Sequence, residues 1–221
     1  MELQCFFIVT ILWVFSVCLH EFSHAWVAYR GGDFTVAAKG YLTMNPLRYT
    51  HPVLSILMPV VFMMLGGIGL PGGAVYINRS LLRSRWWDTA VSLAGPAANL
   101  ILVVLLGLAF KSGLIPADSS KLATIALAFL LQLEVCALLL NLLPIPPLDG
   151  FQAIAPWLSD ELRERFYSLS NVGIFALFLA LYAIAPLNDA LWDTVEWVCN
   201  WFGVDRDWGA LGHLAYRFWV H

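Results

Sequence analysis

Apolar runs of bilayer length alternate along this chain with short polar breaks. Five stretches stand out, at about 3–29, 52–70, 87–110, 122–143 and 169–187. A hydrocarbon core of about 30 Å is spanned by about 20 helical residues. The pattern therefore predicts an all-α polytopic membrane protein with four to five transmembrane helices. The second stretch differs in kind. It holds Pro52, Pro59, Gly66, Gly67 and Gly69, which break or kink helices, and it reads as a bent or re-entrant segment sheltered by protein.

The breaks carry their own pattern. Residues 35–43, with Lys39-Gly40 at the centre, predict a short β-hairpin. Leu70-Pro71-Gly72-Gly73 predicts a turn into a short strand at 74–77. The last stretch, 188–221, holds Trp192, Trp197, Trp201, Trp208 and Trp219, half of the chain's 10 tryptophans, beside Asp189, Asp193, Glu196, Asp205 and Asp207. Leu191, Val195, Val198 and Phe202 share one helical face there. Tryptophan favours the membrane–water boundary, so an interfacial amphipathic helix is one reading and a cap packed on the helical core is the other. The chain thus divides into a membrane-embedded core at 1–187 and a tryptophan-rich segment at 188–221.

Composition removes several classes. Of the 221 residues, 60% are hydrophobic and 12% charged, against about 45–50% and about 25% in soluble domains. A globule of this length cannot hide that excess, so a water-soluble protein is excluded. The formal net charge of −3, with no basic cluster, argues against nucleic-acid binding. Cys5, Cys18, Cys136 and Cys199 form no Cys-x-x-Cys pair and read as buried free thiols. The first run begins with acidic Glu2, meets its first basic residue at Arg30 and exceeds a signal-peptide core in length. It reads as a retained span.

Chemistry concentrates at the end of that span, in His20-Glu21-Phe22-Ser23-His24. Residues four apart share a helix face, so both imidazoles can reach one metal ion, and the adjacent glutamate can act as general base on a water beside it. Ionisable groups inside an apolar helix are expensive and are candidate functional sites for that reason. A catalytic zinc usually takes three protein ligands. The fourth run ends Asn141-Leu142-Leu143-Pro144-Ile145-Pro146-Pro147-Leu148-Asp149-Gly150. Its prolines break the helix just before Asp149, a carboxylate suited to be the third ligand; alone, it would read as the start of a polar loop. Asn141 is a candidate oxyanion donor or a hydrogen-bonding group at the Pro144 break. Asn99 reads as a packing residue beside Gly95. Glu134, inside the fourth run, has no partner legible in the sequence.

The two metal motifs together resemble the site-2 proteases, the intramembrane zinc metalloproteases. Gly32-Asp33 through Leu42-Thr43-Met44-Asn45-Pro46-Leu47 is similar to that family's hairpin and Asn-Pro-Leu turn, and Ser92-Leu93-Ala94-Gly95-Pro96-Ala97-Ala98-Asn99-Leu100 to its glycine-proline-asparagine helix. The likeness covers about 3–151 and has no room for the PDZ or CBS domains of larger members. It implies one Zn2+ held by His20, His24 and Asp149, with Glu21 as the base of a zinc metalloendopeptidase. It also implies hydrolysis of peptide bonds within or beside a substrate's transmembrane segment. His51-Pro52 departs from the aspartate-proline of small relatives. The alternatives are a non-proteolytic metal-binding membrane protein and a transporter with broken helices.

The metal motifs lie toward the C-terminal ends of the first and fourth runs. Those helices should then run roughly parallel, with an odd number of crossings between them, and 52–70 is expected not to cross; the alternative is that the proline-rich segment before Asp149 dips back into the membrane after a full crossing. Eight basic residues (Arg30, Lys39, Arg48, Arg79, Arg83, Arg85, Arg163 and Arg165) then share the zinc side, against Lys111, Lys121, Arg206 and Arg217 opposite. The positive-inside rule turns the active site toward the cytoplasm, in what reads as a bacterial cell membrane.

Overall fold

The structure is a computed structural model that describes residues 2–45, residue 48 and residues 75–219. The expected second run, with His51, lies outside the described residues. α1 (Glu2–Gly31) holds no proline and no glycine before Gly31, and continues for 30 residues. Gly32 ends it with φ of +119°, a conformation open to glycine. A four-residue helix, α2 (Thr35–Ala38), follows. An extended stretch then leads into a 3-10 turn at Arg79–Leu81. α3 (Arg85–Lys111) starts at Ser84, whose side chain accepts from the Trp87 N–H. α4 (Leu122–Asn141) is the most deeply buried of the long helices. A proline-rich loop joins it to α5 (Asp149–Ile154). α6 (Asp160–Ser168), α7 (Ser170–Ala183), α8 (Ala185–Trp201) and α9 (Arg206–Tyr216) complete the chain.

α1, α3 and α4 are each long and apolar enough to cross a bilayer. A fourth candidate is a broken one, residues 160–168 and 172–183, bent by 59°. The expected all-helical polytopic architecture is therefore present, with three spans or up to four. The fifth run is shorter than expected: α7 stops at Ala183, and Pro186 sits in the first turn of α8, where proline is well tolerated.

The hairpin expected at 35–43 is not formed. Thr35 and Val36 favour strands by propensity, but buried Asp33 accepts from both the Thr35 N–H (3.0 Å) and its hydroxyl (2.6 Å) and starts a helical turn instead. Gly40 does turn the chain, with φ of +76°. The strand expected at 74–77 is also absent: residues 75–77 carry no strand pairing, and Ala74 is outside the described residues. No strand occurs among the described residues.

Contacts among α1, α3 and α4 fix the bundle's topology. On α1, Ser16 meets Asn99 and His24 meets Val91, so α3 runs antiparallel to α1. Asn99 also meets Glu134 of α4, while Asn141, at the C-terminal end of α4, lines one cavity with His20, Glu21 and His24 near the C-terminal end of α1. α4 therefore runs parallel to α1, as the metal motifs require. The chain also returns to the end of the bundle that it leaves. The Arg83 N–H donates to the Gly31 carbonyl (2.9 Å), and the Lys39 ammonium lies 4.3 Å from the Tyr76 ring centroid.

The tryptophan-rich segment folds as α8 and α9 and docks on this bundle. Val195, Cys199, Phe202 and Val204 are buried with Val103, Phe110 and Leu131. Tyr216 is fully buried against α1 and α4. Trp197 and Trp201 stay exposed.

Candidate metal centre

α1 carries His20, Glu21 and His24 on its buried face. The imidazole Nε2 atoms of the two histidines lie 3.1 Å apart. Asp149, at the start of α5, places Oδ2 3.1 Å from His20 Nε2 and 3.4 Å from His24 Nε2. The three donor atoms form the one His/Cys/Asp/Glu cluster among the described residues that fits a metal ion.

Hydrogen bonds set the tautomers. His24 Nδ1 donates to the Val91 carbonyl at 2.6 Å; a carbonyl can only accept, so the proton is on Nδ1. His20 Nδ1 faces Asn99 Oδ1 at 2.5 Å. The Asn99 amide nitrogen is turned the other way, donating to Glu134 Oε2 (2.8 Å) and Ser16 Oγ (3.3 Å). Both Nε2 atoms of the neutral rings then present lone pairs to the same point as a carboxylate oxygen. Three acceptors converging this way need protons or a cation between them.

A metal ion fits by two observations. Donors about 2.1 Å from a tetrahedral zinc sit about 3.4 Å from one another, close to the observed 3.1–3.4 Å separations. The cradle also depends on a missing side chain. A Cβ built at Gly95 of α3 would overlap Nε2 of both histidines. Glycine here lets the helix backbone close one side of the site while leaving room at the donor atoms.

The donor atoms open into a cavity of about 340 Å³, whose lining includes Glu21, Asn141, Arg79 and Gln152. Glu21 is buried beside the histidines, and its Oε2 accepts from the Val75 N–H at 3.0 Å. Asn141 is buried at the end of α4 on the same cavity wall. Nearby, Arg79 pairs with Asp88 and donates to Ser92 Oγ at 3.1 Å.

The chain is 44% identical over 214 residues to "Putative zinc metalloprotease Rip2" of Mycolicibacterium smegmatis, covering 97% of this chain and 81% of that protein. The protein of the same name from Mycobacterium tuberculosis (strain H37Rv) is 44% identical over 209 residues, 94% of this chain and 78% of its own. "Putative zinc metalloprotease YwhC" of Bacillus subtilis is 31% identical over 199 residues, 87% of this chain and 86% of its own. This chain belongs to the site-2 protease family. No family model matches it, and no solved structure does.

For this site-2 protease, the residues singled out in the sequence converge on one place. His20, His24 and Asp149, 129 positions apart at the far ends of that set, share one point, with Glu21 and Asn141 on the same cavity. Other parts of the surroundings are not visible in the sequence. Asn99, read as a packing residue, touches a histidine of the cluster. The Val91 carbonyl and the bare Gly95 Cα complete the cradle. Glu134 finds its partner in Asn99. The available signals were an amide four positions after the glycine and a carboxylate inside an apolar helix.

Proposed function

We propose that this site-2 protease is an intramembrane zinc metalloendopeptidase holding one zinc ion per chain on His20, His24 and Asp149, with Glu21 as the general base. The observation that carries this reading is the convergence of two Nε2 lone pairs and a carboxylate oxygen on the cavity that Glu21 lines. When bound, zinc supplies Lewis-acid polarisation of the scissile carbonyl and makes a water molecule more acidic.

The protein's own groups do the rest. The Glu21 carboxylate takes a proton from the attacking water and passes it to the leaving amine nitrogen. The Asn141 side-chain amide donates to the oxygen of the scissile carbonyl as negative charge develops there. Val91 and Asn99 keep each Nδ1 protonated, so the Nε2 lone pairs remain free. Substrates are membrane proteins, cut within or beside a transmembrane segment. A substrate helix must unwind locally first, because its backbone amides are already bonded.

The protein sits in the cell membrane, with the zinc end of the bundle toward the cytoplasm. The eight basic residues on that side against four opposite support this orientation. The exposed Trp197 and Trp201 of α8 lie at the opposite membrane–water boundary, while the rest of the tail caps the bundle.

The test is cleavage of a reconstituted membrane-protein substrate by wild type and by Glu21→Gln. The variant is expected to bind zinc like wild type and to lose cleavage by about 1000-fold, within the range of general-base catalysis. A Glu21→Gln variant that cuts at the wild-type rate overturns the assignment of the base.

A further inference from the structure

Glu134 is a carboxylate with 2% exposure inside a bilayer-length helix. Neither metal binding nor the hydrolytic steps above use it. Its carboxyl accepts at 2.8 Å from Nδ2 of Asn99, whose Oδ1 faces His20 Nδ1, and also bonds the Ser16 hydroxyl. Glu134 is thus two hydrogen bonds away from the His20 ring, whose Nε2 faces the metal centre.

Hydrogen-bond polarity gives that chain a direction. Asn99 and His20 can pair in two self-consistent ways. In one, Asn99 Oδ1 accepts from His20 Nδ1–H, and Nε2 carries a lone pair toward the metal. In the other, the amide is flipped, Nδ2–H donates to a bare Nδ1, and the proton sits on Nε2, where it blocks coordination. The two shapes are nearly identical, because an amide's oxygen and nitrogen occupy similar space. Ser16 by itself does not discriminate between them, since its hydroxyl can donate or accept; donating to Glu134, it too becomes an acceptor toward Asn99. A carboxylate only accepts. Flipping Asn99 would set its oxygen against Glu134 Oε2, acceptor against acceptor in a buried site, where such conflicts are costly.

We propose that Glu134 is a positioning residue of the metal centre: it locks the Asn99 amide and, through it, the His20 tautomer that leaves Nε2 free to bind zinc. This rests on the zinc site proposed above. It gives an ionisable group in an otherwise apolar helix a role: as a carboxylate it offers Asn99 acceptors only, a polarity that no amide at this position supplies. Glutamine has the same shape but can itself flip, so it satisfies either orientation of Asn99 and selects neither.

The test is zinc affinity by chelator competition in detergent, read for wild type, Glu134→Gln, Asn99→Ala and the double variant, beside thermal unfolding. Glu134→Gln is expected to weaken zinc about tenfold, as outer-shell changes do, with a melting temperature at or above wild type. The double variant is expected to bind no more weakly than Asn99→Ala alone, because the effect travels through that amide. Glu134→Leu, which suits an apolar helix, should show the same loss and covers a failure of the glutamine variant to fold. Wild-type zinc affinity in Glu134→Gln or Glu134→Leu, or losses that multiply in the double variant, overturns the proposal while leaving the zinc site standing. A wild type that binds no zinc overturns the zinc reading itself, and this one with it.

Discussion

His24 Nδ1 lies 2.6 Å from the carbonyl oxygen of Val91. A main-chain atom of α3 thereby decides which nitrogen of a ring on α1 faces the metal centre. No side-chain substitution at position 91 removes that acceptor. The backbone of α3 approaches closely enough to make the bond because position 95, one turn further on, has no Cβ.

Gly95→Ala tests this dependence. By helix propensity alone the change should stabilise α3 by about 1 kcal/mol. The added methyl would overlap Nε2 of both His20 and His24, so the rings must leave their positions. Zinc affinity is expected to fall by about 100-fold, the upper end of what displaced ligand supports cost, measured by chelator competition. A Gly95→Ala protein with wild-type zinc affinity would show that the cradle is not shaped by this glycine.

Asp33 holds the approach to the site. Its fully buried carboxylate accepts from the Thr35 N–H and hydroxyl through Oδ1, and from the Asn78 N–H at 2.7 Å through Oδ2. It therefore ties the end of α1 to the strand-like stretch that carries Val75 over Glu21. Asp33→Ala strips the acceptor from these donors, at about 1–3 kcal/mol for each one left buried. Thermal unfolding in detergent is expected to move clearly downward, and less so for Asp33→Asn, which keeps one oxygen. An unchanged transition in Asp33→Ala would mean that these bonds do not hold the loop.

The chain's return to the end of the bundle it left predicts that residues 48 and 79 lie on the same side of the membrane. Single cysteines at Arg48 and Arg79, in a background lacking native cysteines, should label from the same side of the membrane in sealed vesicles. A cysteine at Lys111 should label from the other. Labelling of positions 48 and 79 from opposite sides would contradict the parallel arrangement of α1 and α4.

The sequence carries the long helices and the candidate metal cluster plainly. α1, α3 and α4 end within two residues of the expected runs because length and hydropathy decide spanning helices almost alone. His20, His24 and Asp149 are legible because metal chemistry restricts residue type and helical spacing. Local propensity misleads where a tertiary contact outweighs it. Thr35 and Val36 suggest a strand, and one buried carboxylate two residues earlier makes them a helical turn. The fifth run looks continuous by hydropathy, yet it divides at Ile184, two residues before Pro186. The roles of Val91, Gly95, Asn99 and Glu134 depend on how α1, α3 and α4 pack, and one-dimensional spacing does not encode that.

The most direct test of the account is metal content per chain in detergent-purified protein, beside His20→Ala and Asp149→Ala. The account predicts about one zinc per wild-type chain, lost or strongly weakened in both variants, because three donors are the usual protein complement of a catalytic zinc. A wild type that takes up no zinc on reloading, or an Asp149→Ala protein that keeps it undiminished, would contradict the claim that these distant residues form one metal centre.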